Sequence, residues 1–210
     1  MAVRRLTRPS LARAAAHLGR LGPDWARLVG EVGPCTLRRT PRREPYEALV
    51  RAVAYQQLHA RAADAILGRL LARYPGDEFP APDRLRRTRV ATLRACGFSA
   101  VKAEAIRGIA GAAAAGVVPS RVDADAMDDE ELVARLTTLR GVGRWTVEML
   151  LIFTLERPDV LPADDFGVRD GWRRLASLPT MPTPRAMREI AEPWSPYRSV
   201  ASWYLWRVPR

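Results

Sequence analysis

Lysine and cysteine are nearly absent from the 210-residue chain. Lys102 is the only lysine, and the two cysteines, Cys35 and Cys96, lie far apart and outside any metal-ligand spacing. Two cysteines cannot build a four-cysteine iron–sulfur cluster, and this spacing argues against a disulfide framework. We expect two idle or buried thiols and no cluster in this chain.

Long apolar runs are also missing. No segment approaches the roughly 20 apolar residues of a membrane span, and residues 1–20 lack the continuous apolar stretch of a signal peptide. We therefore expect no membrane partner and a cytoplasmic location. The alternation of apolar and polar residues that marks β-strands is nearly absent too, which predicts an all-α fold.

Positive charge, by contrast, is abundant. The chain has 34 Lys and Arg residues against 23 Asp and Glu, a net charge of +11 and an isoelectric point near 10.9. Such a balance favours a polyanionic partner, with nucleic acid first and a membrane surface second. The hydrophobic share of 48% suffices for one substantial core or two small lobes.

Apolar residues at helical spacing recur along most of the chain. They predict helices over Pro9–His17, Asp24–Val32, Tyr46–Gln56, Ala60–Arg73, Ser99–Ala115 and Asp165–Ala176, with two more ending near Trp206. Asp83–Ala95 is predicted to be a broken helix, and Val117–Ala126 a loop.

A tight turn containing Gly141 and Gly143 joins two apolar helical patterns. Glycine tolerates positive φ and lets another chain approach the backbone. The first N–H groups of the second helix lack partners within the helix, so they can bind a phosphate, and Arg140 and Arg144 add positive charge. The pattern predicts two helices joined by this turn over about residues 128–155, with room for a phosphate of a DNA strand at the turn. The glycines alone leave open a hairpin that only packs.

Two adjacent carboxylates, Asp164 and Asp165, follow Pro162 and precede another helical pattern. Asp165 follows Trp145 by 20 positions. From residue type alone, one of the two carboxylates is expected to cap the helix.

The sequence Leu-x-Gly-Val-Gly-Arg-Trp-Thr at 139–146 and Pro-x-Asp-Asp-Phe at 162–166 together resemble the helix-hairpin-helix DNA glycosylase superfamily. Within it, the chain is most similar to the alkylpurine branch, the 3-methyladenine DNA glycosylases of type II. The resemblance implies two helical lobes flanking a DNA-binding cleft, one formed by 46–161 and the other by 1–45 with 162–210. It also implies a short form without the N-terminal sheet domain of other type II enzymes.

By this resemblance Asp165 is the catalytic carboxylate, and Asp164 is the cap or a structural residue. Positive charge builds on the sugar as a glycosidic bond breaks, and a nearby carboxylate stabilises it and can deprotonate the attacking water. Relatives that also cut the strand carry a lysine directly after the position of Arg144, where this chain has Trp145. Because Lys102 lies in an earlier helix, we expect no AP lyase activity.

The base pocket is implied in the same way. Trp145 and Trp206 match stacking tryptophans of the alkylpurine branch, and Tyr55 would lie at the pocket mouth. A purine alkylated at N3 or N7 is cationic, and an indole face attracts a cation by about 0.5–2 kcal/mol. Met149 stands where the branch often has tyrosine, so a sulfur–ring contact would replace part of the wall. Four further tryptophans are expected to pack in the core: Trp25, Trp172, Trp194 and Trp203.

The junction Gln57–Leu58 matches the wedge that enters the duplex where a base has left, with Leu58 inserting between base steps. The residues alone favour a buried Leu58 beside surface glutamines. The resemblance assigns grip of the DNA backbone to the hairpin residues Arg140, Gly141, Gly143, Arg144 and Thr146. Family members often hold Na⁺ or K⁺ through hairpin carbonyls, here near Leu139 and Val142, and no other cofactor is expected.

Taken together, the residues and the resemblance predict a monofunctional glycosylase of base excision repair. It would act as a monomer on damaged double-stranded DNA and release bases of the 3-methyladenine and 7-methylguanine type. Two alternatives stay open: a non-catalytic helix-hairpin-helix DNA-binding protein, and a glycosylase for a different base such as uracil.

Overall fold

The computed structural model describes residues 6–37, 40 and 42–209. Within these ranges all regular structure is helical, which confirms the predicted fold class. The helices in chain order are α1 (Arg8–Gly19), α2 (Pro23–Val32), α3 (Pro45–Tyr55), α4 (Ala60–Leu71), α5 (Pro82–Arg87), α6 (Val90–Ala95), α7 (Ala100–Ala114), α8 (Arg121–Ala126), α9 (Asp129–Leu136), α10 (Arg144–Phe153), α11 (Phe166–Leu175), α12 (Pro184–Ile190), a 3₁₀ turn (Glu192–Trp194) and α13 (Arg198–Leu205). None of the helices in the described ranges has the length and apolarity needed to cross a bilayer.

The chain divides into two compact units. One consists of Met1–Pro41 and Leu151–Arg210, and the other is Arg42–Leu150, so the boundary between them falls inside α10. The lobe limits expected from the motifs, 46 and 161, differ from these and stay a prediction.

Helix α7 is the centre of the unit Arg42–Leu150, where it packs against α3, α5 and α6. Ile106 and Ile109 of α7 are fully buried, as is Leu49 of α3. Ser99 begins the helix, because its side chain accepts a hydrogen bond from the Lys102 N–H at 3.2 Å. The buried side of α7 therefore forms the centre of the core of this unit.

Tryptophans and a close helix pair form the core of the unit built from both chain ends. The rings of Trp25, Trp172 and Trp194 lie 5.2–6.1 Å apart between centroids, which confirms that these tryptophans pack with one another. Helices α11 and α13 approach closely at Gly171, where an added Cβ would lie 2.2 Å from the carbonyl oxygen of Leu205. A larger residue at Gly171 would therefore force α11 and α13 apart.

One predicted loop is wrong. Residues 117–126 contain helix α8, which begins after Ser120, whose side chain accepts a hydrogen bond from the Asp123 N–H at 3.2 Å. A helix of six residues is too short to show a clear apolar period, so its cap was the only local signal.

Candidate functional site

Asp165 begins α11. Its Oδ1 accepts a hydrogen bond from the Val168 N–H at 2.8 Å, and its side chain is partly buried. Of the two roles expected for Asp164, a cap or a structural residue, the cap is wrong. Asp164 is exposed, with Oδ2 3.9 Å from Nη2 of Arg188. The cap is the residue before the first helical position, and α11 starts at Phe166.

The same oxygen of Asp165 contacts Trp206, which ends α13. The indole Nε1 of Trp206 donates to Oδ1 of Asp165 at 2.8 Å. Together with the Val168 N–H, this donor fixes the orientation of the carboxylate. The structure thus brings the predicted catalytic residue into direct contact with one of the two predicted pocket tryptophans.

Phe153 also contacts Trp206, although Phe153 was not identified as a site residue from the sequence. Its ring stacks on Trp206 with centroids 5.9 Å apart and planes inclined by 18°. A phenylalanine at the end of an apolar helical pattern looks like an ordinary core residue in the sequence, so no signal marked it. Its contact gives Trp206 a second constraint besides the hydrogen bond to Asp165.

Gly167 makes the contact between Asp165 and Trp206 sterically feasible. A Cβ added there would lie 2.8 Å from Cδ1 of Trp206 and 3.1 Å from Oδ1 of Asp165. Distances this short force a neighbour to move, so the absence of a side chain at Gly167 is required by the geometry.

The start of α13 is held by Asp159. Its carboxylate accepts from the backbone N–H of Arg198 at 3.1 Å and from the guanidinium at 2.7 and 2.8 Å, and from Ser195 Oγ at 2.9 Å. Burial raises the pKa of Asp159, but these hydrogen bonds outweigh burial and hold the pKa below its ordinary value. The anchored helix carries Trp206 at its end.

The predicted wedge residues lie in the turn between α3 and α4, in the unit Arg42–Leu150. Gln57 has φ of +55°, and both Gln57 and Leu58 are exposed. The side chain of Leu58 is 40% exposed, so the alternative that places it in the core does not fit the structure. Sequence reasoning missed Gln56, whose Nε2 donates to the carbonyl of Gly141 at 3.0 Å and ties this turn to the hairpin.

The other predicted pocket residues belong to the same unit as the wedge. Trp145 is 43% exposed, and Met149 lies one turn later on the same face of α10. The hydroxyl of Tyr55 donates to the carboxylate of Asp64. This hydrogen bond, with a smaller contribution from burial, raises the pKa of Tyr55.

The hairpin has the predicted form of helix α9, a glycine turn and helix α10. Gly141 has φ of +83°, and an added Cβ would lie 3.0 Å from Cβ of Ala105. The carbonyl of Gly143 accepts from the N–H of Thr146 at 2.9 Å and that of Val147 at 3.2 Å, as expected for the start of α10. Thr146 is only 3% exposed, so its assignment to backbone binding stays a prediction.

Both hairpin arginines pair with acids that the sequence did not reveal. Nη1 of Arg140 lies 2.6 Å from Oε2 of Glu104. The guanidinium of Arg144 holds both carboxylate oxygens of Glu130 at 2.6–3.2 Å. A phosphate bound by either arginine would have to share the guanidinium with this acid or displace it.

The residues named for a monovalent cation are backbone carbonyls. The carbonyl of Leu139 accepts from the N–H of Val142 at 3.1 Å, and a carbonyl oxygen has a second lone pair that suits a hard cation. Across residues 6–37, 40 and 42–209, His, Cys, Asp and Glu form no group of three that could hold a metal ion. A Na⁺ or K⁺ ion at the hairpin stays a prediction.

Comparison with known proteins agrees with these features. The profile of the HhH-GPD superfamily base excision DNA repair proteins matches residues 50–196. DNA-3-methyladenine glycosylase 1 of Schizosaccharomyces pombe is 45% identical over 202 residues, which cover 96% of this chain and 89% of the relative. The alkylbase DNA glycosidase-like protein mag2 of the same yeast is 39% identical over 199 residues, covering 94% and 93%.

The fold of this chain is also similar to that of a solved structure. The S. pombe 3-methyladenine DNA glycosylase Mag1, in complex with abasic DNA, superposes with a TM-score of 0.84 at 45% identity, covering 93% of this chain and 95% of that one. The family match spans more than half of the chain and includes the hairpin and Asp165. The chain therefore belongs to the HhH-GPD superfamily of base excision DNA repair proteins.

Proposed function

We propose that this protein is a monofunctional DNA glycosylase that extrudes alkylated bases from double-stranded DNA and releases them by hydrolysis. The observation that carries the proposal is the carboxylate of Asp165, oriented by the Trp206 indole. Such an enzyme needs a carboxylate beside the sugar and flat rings against the base, and these two residues supply one of each. The names of the S. pombe relatives support 3-methyladenine as a substrate. We include 7-methylguanine because it is an alkylated purine that carries the same positive charge.

In this mechanism Asp165 acts on the sugar. The carboxylate stabilises the positive charge that develops at the anomeric carbon and takes a proton from the attacking water. The alkylated purine leaves readily because it already carries a positive charge, so the reaction needs no strong general acid. By the resemblance we assign contact with the cationic base to the ring faces of Trp145 and Trp206, with Met149 and Tyr55 as further contacts.

Extrusion of the base precedes this chemistry. Removing a base from the stack costs on the order of a few kcal/mol, least for a damaged base. The exposed Leu58 and its neighbour Gln57 would fill the gap, while the amides of Gly141 and Gly143 and the charges of Arg140 and Arg144 hold the backbone. None of the backbone contacts reads a base, which suits an enzyme that recognises damage in any sequence.

The surroundings of Lys102 support hydrolysis without strand cleavage. A lyase needs a lysine amine that can attack the sugar. The Nζ of Lys102 donates to two backbone carbonyls, of Ala54 at 3.0 Å and Gln56 at 2.5 Å. We propose action as a monomer with no cofactor other than the Na⁺ or K⁺ of the hairpin.

A base-release assay on methylated duplex DNA, with the released bases identified by mass, tests the proposal. We expect free 3-methyladenine and 7-methylguanine, and no enzyme trapped on DNA by borohydride. Binding of damaged DNA without release of any base would favour the non-catalytic alternative. Release of uracil but of no methylated purine would favour a glycosylase for another base.

A further inference from the structure

Lys102 contacts the end of the helix that leads into the wedge turn, here defined as Gln56–His59. Its Nζ donates to the carbonyls of Ala54 and Gln56 at 3.0 and 2.5 Å. The last carbonyls of an α-helix lack partners within the helix and carry partial negative charge. The ammonium of Lys102 therefore satisfies and neutralises the end of α3.

The position of Lys102 is otherwise unfavourable for a cation. It is the third residue of α7, where the partial positive charge of a helix start opposes an ammonium. Burial lowers the pKa of Lys102. The carbonyl of Ala54 in α3 and the carbonyl of Gln56 in the wedge turn are the contacts that offset this cost.

Packing gives the wedge turn little support. Gln57 is in the left-handed region, with φ of +55°, and Leu58 is 40% exposed. A cavity of about 240 Å³ lies between the turn and the start of α7, and Leu58 and Lys102 are among the residues that line it. Because the space beside the turn is not filled by side chains, polar contacts must fix its position.

The first two turns of α7 also hold the hairpin turn. Glu104 pairs with Arg140 at 2.6 Å, and Cβ of Ala105 lies 3.0 Å from the Cβ position of Gly141. Gln56 closes the connection, since its Nε2 donates to the Gly141 carbonyl at 3.0 Å. Residues 102–105 of α7 therefore contact both the wedge turn and the hairpin turn and hold the two turns next to each other.

We propose that Lys102 is a positioning residue, which holds the wedge turn in the shape that enters the duplex. It then affects the extrusion of the base and leaves the hydrolysis step unchanged. This inference rests on the proposed function, because a wedge has a role only if a base is extruded.

The test compares Lys102→Met with wild type in single-turnover excision of 7-methylguanine from two duplexes. In one duplex the lesion is paired with cytosine, and in the other it lies opposite an abasic site, where extrusion is easier. We expect about a tenfold loss on the paired lesion, the change typical for a lost hydrogen bond to a charged group, and less than about a twofold loss on the unpaired one. Lys102→Arg keeps the cationic donors and should recover most of the rate.

Arg135→Met is the matched control. Arg135 also donates to two carbonyls next to an end of α7, those of Val117 at 2.8 Å and Gly116 at 2.6 Å, but at the end about 20 Å from Lys102. Its loss should leave the ratio of the two rates as in wild type. Circular dichroism melting checks that each variant is folded, and Lys102→Gln replaces Lys102→Met if the latter is not.

A double-variant experiment identifies the route of the effect. If Lys102 acts through the wedge, Lys102→Met should cause no further loss on the paired lesion once Leu58→Ala is present. Equal losses on both duplexes, or losses that multiply in the double variant, would overturn the positioning role. Absence of base release by the wild type would instead contradict the proposed function, so the two failures are distinct.

Discussion

The indole Nε1 of Trp206 donates to Oδ1 of Asp165 at 2.8 Å, while the ring of Trp206 stacks on Phe153. One side chain thus combines two tasks, because its edge orients a carboxylate and its ring forms part of an aromatic cluster. A hydrogen bond to a charged group contributes about 1.5–3 kcal/mol when it is well formed. The position of the carboxylate in the proposed reaction therefore depends on Trp206.

Replacing Trp206 by phenylalanine separates these tasks. Trp206→Phe keeps a ring beside Phe153 but removes the N–H that orients Asp165. We expect kcat for 7-methylguanine release to fall about tenfold, with a smaller change in KM, because orientation of the carboxylate matters most in the transition state. Steady-state excision kinetics measure both constants.

Trp172→Phe is the control for this change. Trp172 belongs to the same unit and packs against Trp25 and Trp194, away from the hydrogen bond to Asp165. This variant should retain kcat within about twofold, since its loss affects packing and not the site. A Trp206→Phe enzyme with wild-type kcat would show that the indole N–H has no part in catalysis.

Gly167→Ala should disturb the same contact by steric overlap. The added Cβ would lie 2.8 Å from Cδ1 of Trp206, so the indole must shift away from Asp165. We expect at least about a tenfold loss of excision rate and a destabilisation of about 1–3 kcal/mol. Urea unfolding and the excision assay give the two values.

Gly108→Ala serves as the matched glycine change. Gly108 is exposed within α7, and an added Cβ there meets no atom within 4 Å. Alanine should stabilise this helix by about 0.5–1 kcal/mol and leave excision unchanged. If Gly167→Ala behaved like Gly108→Ala, the close approach of α11 to Trp206 would be unimportant for activity.

Substitution of Trp145 tests whether the protein selects alkylated bases by their positive charge. Its ring is 43% exposed, so Trp145→Leu should fold normally but lose the attraction between the indole and a cationic base. We expect about a tenfold loss in kcat/KM for 7-methylguanine, and a smaller loss for Trp145→Phe, which keeps a weaker aromatic face. Equal activity of the leucine variant and the wild type would contradict this role.

Because Arg140 and Glu104 form an ion pair, substitutions of the two residues should change DNA affinity in opposite directions. Arg140→Gln should weaken binding to undamaged duplex and lower the slope of log Kd against log salt concentration by about one. Glu104→Gln should strengthen binding at low salt, because Arg140 no longer has a competing acid 2.6 Å away. Fluorescence anisotropy at several salt concentrations measures both, and a shift in the same direction would be inconsistent with competition.

Most of the fold was accessible from the sequence because its signals are local. Apolar residues at helical spacing located α3 and α7, whose observed ends lie within one residue of the expected ranges 46–56 and 99–115. Helix α8 was missed because six residues cannot display an apolar period. Residue type alone left open which of the two neighbouring carboxylates caps α11, because the choice depends on which residue is the first helical one. The resemblance favoured Asp164, and the structure shows Asp165.

The contacts of the site were less accessible because they join residues far apart in the chain. Nothing near Phe153 in the sequence indicates that it stacks on Trp206. The need for glycine at Gly167 appears only when the indole of α13 is seen beside it. Likewise, the carbonyls that bind Lys102 come from the end of another helix. That Lys102 is the only lysine in the sequence did not indicate these partners.

The carboxylate of Asp165 is the central claim, and its amide variant tests it most directly. The measurement is the single-turnover rate of 7-methylguanine release by wild type, Asp165→Asn and Asp164→Asn, with DNA binding checked in parallel. Asp165→Asn should bind methylated duplex but lose at least about 100-fold in rate, as expected when a charge that stabilises the transition state is removed. The exposed Asp164 is the matched control and should change the rate less than about twofold when converted to asparagine. Release of 7-methylguanine by Asp165→Asn at the wild-type rate would contradict the account.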